Sequence, residues 1–487
     1  MKVALVLPGS KAGVSNPRYN QLFPYLLPMS AGYLAAVLEK EGHDVTIYDQ
    51  VPRRLSNEEL VQVLKRDAPE LIGFSALTTT VTNILELVKG IRAEMPGTKI
   101  VWGNQHATLF ADDVLTNGYA DFIVRGEGEY TLRAAVAALE AGKSLEGVEG
   151  VTWMDNGTIR ANPRRELIAD LDELPYPSWA GVDVFAERYM YLPLIGVYST
   201  PLPVMASRGC PFKCVFCSQD QWFKNVRLRD PVKVVDEIEE RVERYGFKWF
   251  GFNDAYFPWT KKIGFQFADE LIRRGLHKKV RWISETRVDM VDEELLVRLK
   301  EAGLSVLFFG FESGNQKILD GVGKGTTLEQ AEAAAKACRK AGITSIGFFM
   351  LGLPGDTAET CWETVNFAIK LDVDFAKFAV TIPYPGSQLY EDMKDQIDAK
   401  QFEKFNSWYN WASGDEELLG APEGMTVAEL LEIQRAGMFR FYARPTQVVR
   451  HLTKGTIPLS LMAYGAFVLG EGLVKNSVAR VKQLVKK

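Results

Sequence analysis

The sequence predicts an α/β protein. A doubly wound, Rossmann-like parallel sheet covers residues 1–150 and a partial (β/α)6 TIM-type barrel covers 201–395. A connector at 151–200 joins them, and a mainly helical region at 396–487 follows. Three observations carry this reading. Short apolar runs alternate with stretches of helical length in both regions, which calls for parallel strands linked by crossover helices. The second region repeats the strand–helix unit six times, which suits a barrel better than another flat sheet. Its polar residues also gather at strand carboxyl ends, where barrel chemistry is built.

The first region opens on the strand VALVLP, followed by the helix MSAGYLAAVLEKEGH with a stop at Gly42. DVTIYD, ELIGFSAL, TKIVWGN and DFIVRGEGE are the next strands, separated by NEELVQVLKRD and VTNILELVKGIRAEM. Ligands of such a sheet sit at strand carboxyl ends. The ends here are Pro8 and Gly9; Ser75 with Leu77, Thr78 and Thr79; Gly103, Asn104, Gln105 and His106; and Gly126 with Glu127. No G-x-G-x-x-G follows the first strand, so a nicotinamide or flavin dinucleotide is not indicated. Residues 151–200 are rich in Pro and aromatics and weak in periodicity, hence a connector.

The barrel strands are PVMAS, KWFGFND, RWISETR, SVLFFGFES, SIGFFMLG and DFAKFAVTIPYPG. The clearest helix, PVKVVDEIEERVERYG, places Val234, Val235, Ile238 and Val242 at helical spacing. The strand ends carry Ser207-Arg208-Gly209, Asn253-Asp254, Glu285 and Arg287, Glu312-Ser313, Gly352 and Tyr384-Pro385-Gly386.

Composition bounds the function. The chain has 487 residues, net charge −5, 47% hydrophobic and 24% charged residues, as a globular protein does, and nothing global invites nucleic acid. The N-terminus enters a strand without a secretory leader. The five cysteines are an odd number, so a reducing cytoplasm fits better than a disulfide framework. Three of them, Cys210, Cys214 and Cys217, stand in SRGCPFKCVFCSQ just after the first barrel strand. Thiolates suit zinc or iron–sulfur clusters. Structural zinc wants four ligands, whereas Cys338 and Cys361 stand singly in helical stretches and read as small buried hydrophobes. Three thiolates on a four-iron cluster leave one iron open to bind something else.

At these residues the chain resembles the radical S-adenosylmethionine (SAM) enzymes, in the C-x-x-x-C-x-aromatic-C pattern with Phe216 before the last cysteine. The resemblance extends through RLRDPVKVVDEI, FND, WISETRVDMVDEELLVRLKEAG, FFGFESGNQKILDGVGKGTT, GFFMLGLPGDT and IPYPGSQLY. GNQHATLFADDVL and IVRGEGE resemble the cobalamin-binding domain that precedes the barrel in one large subclass, and FYARPTQVVRHL resembles the region that follows it. The resemblance implies that Cys210, Cys214 and Cys217 hold a [4Fe–4S] cluster whose open iron takes the amine and carboxylate of SAM. Cleavage of SAM there would give a 5′-deoxyadenosyl radical. It implies SAM contacts at Phe216, Asn253, Asp254, Arg287, Glu312 and Gly352, and cobalamin contacts at the first region's strand ends named above. No D-x-H-x-x-G is present, so cobalamin is expected base-off without a histidine ligand, with His106 the imidazole nearest the corrin.

Two reactions fit this subclass. One is methylation of an unactivated carbon through methylcobalamin on a lipophilic substrate, as in hopanoid and bacteriochlorophyll methylases, and it is preferred. The other is oxidative ring closure, as in the anaerobic magnesium-protoporphyrin ester cyclases. A non-enzymatic cobalamin or iron–sulfur carrier or sensor needs only the two cofactor sites. A lipophilic or tetrapyrrole substrate and an electron donor such as flavodoxin or ferredoxin are the expected partners. From Arg440 onward the only acid is Glu471. There TIPLSLMAYGAFVLGEGLV precedes the basic amphipathic KNSVARVKQLVKK, which reads as a barrel lid or a peripheral contact with anionic lipid at the inner face of the membrane.

Overall fold

The structure is a computed structural model, and it describes residues 1–10, 26–184, 189, 197, 199–218, 225–397 and 421–454. Strands β1 (Lys2–Leu7), β2 (Asp44–Asp49), β3 (Leu71–Ser75), β4 (Lys99–Gly103) and β5 (Phe122–Val124) form a parallel sheet in the order β2-β1-β3-β4-β5. Alternate residues of β1 face opposite cores. Val3 and Leu5 pack with Ala31, Ala35 and Leu38 of one helix layer, and Ala4 and Val6 with Leu60, Ile84 and Leu87 of the other. A sheet buried on both faces explains why its strands read as continuous apolar runs.

The sheet then continues where the sequence reading places a connector. β6 (Val151–Asp155) adds antiparallel to β5, and β7 (Thr158–Ala161) antiparallel to β6. Asn156 and Gly157, at φ of 47° and 82°, make the two-residue turn that matches strand twist. The remaining connector lies between the two regions: Ser178 N donates to Gly32 O at 2.9 Å and Arg241 Nη2 to Pro177 O at 2.9 Å.

The second sheet holds β8 (Leu202–Val204), β11 (Trp249–Phe252), β12 (Arg281–Thr286), β13 (Leu304–Glu312), β14 (Thr344–Leu351) and β15 (Phe375–Val380), all parallel and in chain order. Short strands β9 (Ser207–Arg208) and β10 (Arg227–Leu228) pair antiparallel beside it. The expected six barrel strands are present. The first stops at Val204 rather than running into Ser207: the Asp254 carboxylate accepts from Ala206 N at 3.0 Å, which takes that amide out of the ladder, and also holds the Ser207 hydroxyl. Helix Pro231–Tyr245 starts on Asp230, whose side chain accepts from Val232 N, with Pro231 in its first turn, and ends at Gly246 at φ 75°. Val234, Val235 and Ile238 enter the core outside the barrel. The inner floor is a separate cluster of Val197, Ile283, Val306, Ile346 and Phe375.

Beyond β15 the helices Val427–Tyr442 and Pro445–Lys454 cover the last strand. Tyr442 OH donates to Ala376 O at 2.9 Å and accepts from Ala376 N at 3.1 Å. Gln434 Nε2 donates to Phe378 O at 2.8 Å and Gln447 Nε2 to Val373 O at 2.7 Å. Tyr442 and Gln434 thus occupy backbone groups that an edge strand otherwise leaves open, and Gln447 does the same for Val373 just before the strand. Among the described residues no helix is long and apolar enough to cross a membrane. Thr456 to Lys487, the apolar run and basic tail, lie outside the described residues.

Candidate active site at the domain seam

Both sheets present their strand carboxyl ends to one cavity of about 340 Å³. Ser75, Gly103, Asn104, Gly126 and Glu127 line it from the first sheet; Met205, Ser207, Arg208, Gly209, Asn253 and Ala255 line it from the barrel. The first set is small, so the sheet edge is a low open cradle. Gly126, at φ 75°, takes a conformation that a side chain resists. Asn104, also left-handed at φ 78°, donates from Nδ2 to Ser75 Oγ at 3.0 Å. Such a cradle fits the face of a corrin, which needs close backbone approach.

Other residues expected at this edge stand outside the cavity lining. Gly9 is tied down by Gln50 and Asn83: its N–H donates to Gln50 Oε1 at 3.1 Å and its carbonyl accepts from Asn83 Nδ2 at 3.0 Å. Pro8 beside it is buried. Leu77 is exposed and leads into the turn Thr78–Thr80. His106 is buried with its ring against Phe110, 4.6 Å between centroids, and Nδ1 3.3 Å from Thr78 Oγ1. Burial pushes its pKa down to about 4, so it is neutral at ordinary pH. Gln105 instead crosses the seam, its Nε2 3.4 Å from Ser218 Oγ, next to Cys217.

The cysteine loop is docked on the barrel by its backbone. Val215 N donates to Val322 O at 3.0 Å, Leu389 N to Val215 O at 2.9 Å and Cys217 N to Cys214 O at 3.0 Å. Phe216 packs with Ile318, Val322, Leu353 and Met350, so it anchors the loop. All three are partly exposed and in no disulfide, whereas Cys338 and Cys361 are fully buried. Cys338 Sγ donates to Ile343 O at 3.5 Å, and burial drives the Cys361 thiol up to about 12, far from a ligand's thiolate. Burial also raises Cys214, with the Lys324 ammonium opposing it. Among the described residues no three side chains converge as for a single metal ion. A cubane does not ask this, because each thiolate takes a different iron. The donor set fits a cluster with three protein ligands.

The barrel strand ends divide by what already holds them. Asn253 is exposed and lines the cavity. Asp254 is buried, engaged by Ala206 and Ser207, and raised by burial to about 7 despite those bonds. Arg287 is buried, its Nε and Nη2 3.0 and 3.1 Å from Asp289, its Nη2 3.0 Å from Lys324 O, and its guanidinium 3.4 Å from the Phe212 ring centroid. Gly352, at φ 83°, gives its N–H to Asp356 Oδ2 at 3.0 Å, and a Cβ there would meet Leu430 at 2.9 Å. Asp254, Arg287 and Gly352 therefore shape the site from behind, with Asn253 in front.

Glu312 acquires a partner that the sequence reading did not single out. It sits at φ 62° beyond a bulge in the β13–β14 ladder and accepts from Lys324 Nζ at 2.7 Å. A Cβ on Gly310 would lie 2.5 Å from the Glu312 carboxylate and 2.9 Å from Lys324 Nζ, so the pair needs that glycine. The available signal was a lone lysine in the turn GVGKG, between Gly323 and Gly325 at φ 67° and 68°.

Charge locks the seam. Arg208 Nη1 donates to Glu127 at 3.0 Å and its Nη2 to Glu129 at 2.6 Å; Arg227 Nη1 reaches Glu127 at 2.8 Å. Tyr33 lies under Arg208, 5.5 Å from ring centroid to guanidinium. Burial opposes ionisation of Glu127, but Arg227 and Arg208 outweigh it and hold the carboxyl below its usual value.

Comparison with known proteins agrees with both halves. The B12 binding domain family matches residues 23–136 and the Radical SAM superfamily matches 204–368. The chain is 30% identical to an uncharacterized methyltransferase of Pyrococcus horikoshii, over 93% of this chain and 95% of that one. It is 34% identical to the anaerobic magnesium-protoporphyrin IX monomethyl ester cyclase of Cereibacter sphaeroides, over 86% of this chain and 67% of the relative. Among solved structures, the radical SAM methyltransferase TsrM of Kitasatospora setae, with tryptophan and a SAM analogue bound, superposes with a TM-score of 0.70 at 19% identity, covering 91% and 90% of the two chains.

Proposed function

The chain belongs to the radical SAM superfamily, in the group with an N-terminal B12-binding domain, and on that premise we propose that it methylates an unactivated carbon of a small molecule. It is an enzyme of this class, and its cofactors are a [4Fe–4S] cluster, SAM and cobalamin. The observation that carries the methylation reading is the shared cavity: the strand ends of the first sheet and the barrel residues Ser207 to Gly209, which lead directly into Cys210, line one space. When bound, the cluster and SAM supply hydrogen abstraction, and cobalamin supplies a methyl group.

The chain's own residues do the positioning. Cys210, Cys214 and Cys217 would hold the cluster, Asn253 faces SAM from the cavity, and Asp254, Arg287, Phe216 and Gly352 fix the surrounding backbone. Glu312, paired to Lys324, offers carboxylate oxygens to hydroxyl groups. Ser75, Gly103, Asn104, Gly126 and Glu127 would cradle cobalamin. The reading extends to base-off cobalamin, supported by the burial of His106; electron paramagnetic resonance without axial nitrogen splitting is the expected outcome. It includes a flavodoxin or ferredoxin as donor, a lipophilic substrate and peripheral membrane contact through the basic tail, which rest on sequence.

The test is anaerobic reconstitution with SAM, cobalamin and a lipid or tetrapyrrole extract, followed by mass analysis. A product heavier by one methyl, with S-adenosylhomocysteine released, is expected. A gain of oxygen without it would establish the second reading, ring cyclisation, which the 34% identity to the cyclase favours.

A further inference from the structure

A buried ion pair stands beside the cysteine loop. The turn after helix Gln316–Gly321 runs Val322, Gly323, Lys324, Gly325, and the loop rests on it. Val215 N donates to Val322 O at 3.0 Å, and Cys214 Sγ lies 3.9 Å from Gly323 O. A Cβ on Gly323 would come within 3.0 Å of Lys213 O, so the glycine lets the two backbones meet. Lys324 is the next residue. Its backbone is held on both sides: its N–H donates to Leu319 O at 3.0 Å, and its carbonyl accepts from Arg287 Nη2 at 3.0 Å.

The Lys324 ammonium reaches Glu312 at 2.7 Å, and the two side chains are 8% and 11% exposed. Cys214 feels both charges with opposite signs, the ammonium more strongly than the carboxylate. Arg287, the other cation in range, is already matched by Asp289. Reduction adds a negative charge to a cluster that its thiolates already make negative. The potential of such a cluster follows the charges and hydrogen bonds around it. A fixed cation favours the reduced form, a fixed anion opposes it, and burial weakens the screening of both.

We propose that Lys324 and Glu312 set the reduction potential of the cluster held by Cys210, Cys214 and Cys217. Lys324 raises it, Glu312 lowers it, and the lysine has the larger share. Gly310 belongs to the device, since a side chain there would displace the pair. The inference rests on the assignment of a cluster to the three cysteines. It does not depend on whether the enzyme methylates or cyclises.

The experiment is a redox titration of the anaerobic holoenzyme without SAM, followed by electron paramagnetic resonance of the reduced cluster. Lys324→Met leaves Glu312 unopposed. It should make reduction at least about tenfold less favourable, a fall of about 59 mV or more in a one-electron midpoint. Glu312→Gln leaves the ammonium unopposed and should raise the midpoint. Lys324→Arg should keep the equilibrium within about twofold, and Lys324→Met combined with Glu312→Gln should fall between the two single variants. Loss of packing alone does not give opposite signs. An unchanged midpoint in either single variant, or shifts of the same sign, overturns the proposal. If Lys324→Met takes up no full cluster, Glu312→Gln decides alone: an upward shift supports the proposal and any other result overturns it. Iron and sulfide contents test the cluster assignment separately, so failure of one is not mistaken for failure of the other.

Discussion

At the seam, Arg208 and Arg227 meet Glu127 and Glu129 at 2.6–3.0 Å, with every side chain at most 15% exposed. In the lumen, Lys377 and Glu285 feel each other's charge but pull against burial, and both lean toward their neutral forms. Seam charges are paired with one another and hold two regions in register. Lumen charges are shifted chiefly by burial, each toward its neutral form. The difference teaches how to sort buried ionisable groups: a carboxyl held below its usual value by fixed partners is scaffolding, whereas a lysine driven down by desolvation is kept at a cost in stability.

The largest effect is expected where seam and lumen meet, at the cysteine loop. Replacing any one of Cys210, Cys214 or Cys217 by Ala should remove the brown chromophore and all SAM cleavage, read by absorbance and 5′-deoxyadenosine. Retention of both in any variant breaks the placement. Next, Arg208→Met leaves Glu129 buried without its cation and should cost about 3–5 kcal/mol in anaerobic denaturation; a loss under 1 kcal/mol would mean the seam is no more than surface pairing.

Lys377→Met should act with the opposite sign. The folded value lies near 8, below the usual 10.5, so between those pH values the unfolded chain binds the extra proton and stability rises with pH. The penalty is therefore full below pH 8 and gone near 10.5. The variant should gain on the order of 1–3 kcal/mol at pH 7, and the gain should vanish toward pH 10.5. Destabilisation at pH 7 would move Lys377 into the seam's class. The smallest effect belongs to Cys338, remote from both regions. Cys338→Ala should lose about 1 kcal/mol and keep the chromophore, and loss of colour would reassign it as a ligand.

Much of this was legible in the sequence. The parallel strands of the first sheet announce themselves as apolar runs because they are buried on both faces, and the cysteine spacing needed no fold. The hairpin of β6 and β7 was legible too, since VTWM and TIRA flank Asn156-Gly157, but the surrounding prolines and aromatics obscured it. Arg208's partners lie about eighty residues upstream, so only docking of the two sheets reveals them. Nothing in the sequence singles out Lys377 within DFAKFAVTIPYPG. Its inward direction depends on the pleat set by Phe375, whose place on the floor is a tertiary fact. Asp254 and Arg287 were legible as strand-end residues, but their use by backbone and by Asp289 was not.

The latch of Tyr442, Gln434 and Gln447 on β15 has a consequence for synthesis. β15 ends at Val380 and the latching helix begins at Val427. At ribosomal speeds of about 5–20 residues per second the barrel's last strand waits roughly 2–9 s for its cover. During that interval its unpaired backbone is a template for a neighbouring nascent chain on the same message. Expression at lower temperature, or with a holdase in excess, should therefore raise the soluble yield of the whole chain, and a chain ending before Val427 should accumulate as aggregate under either condition.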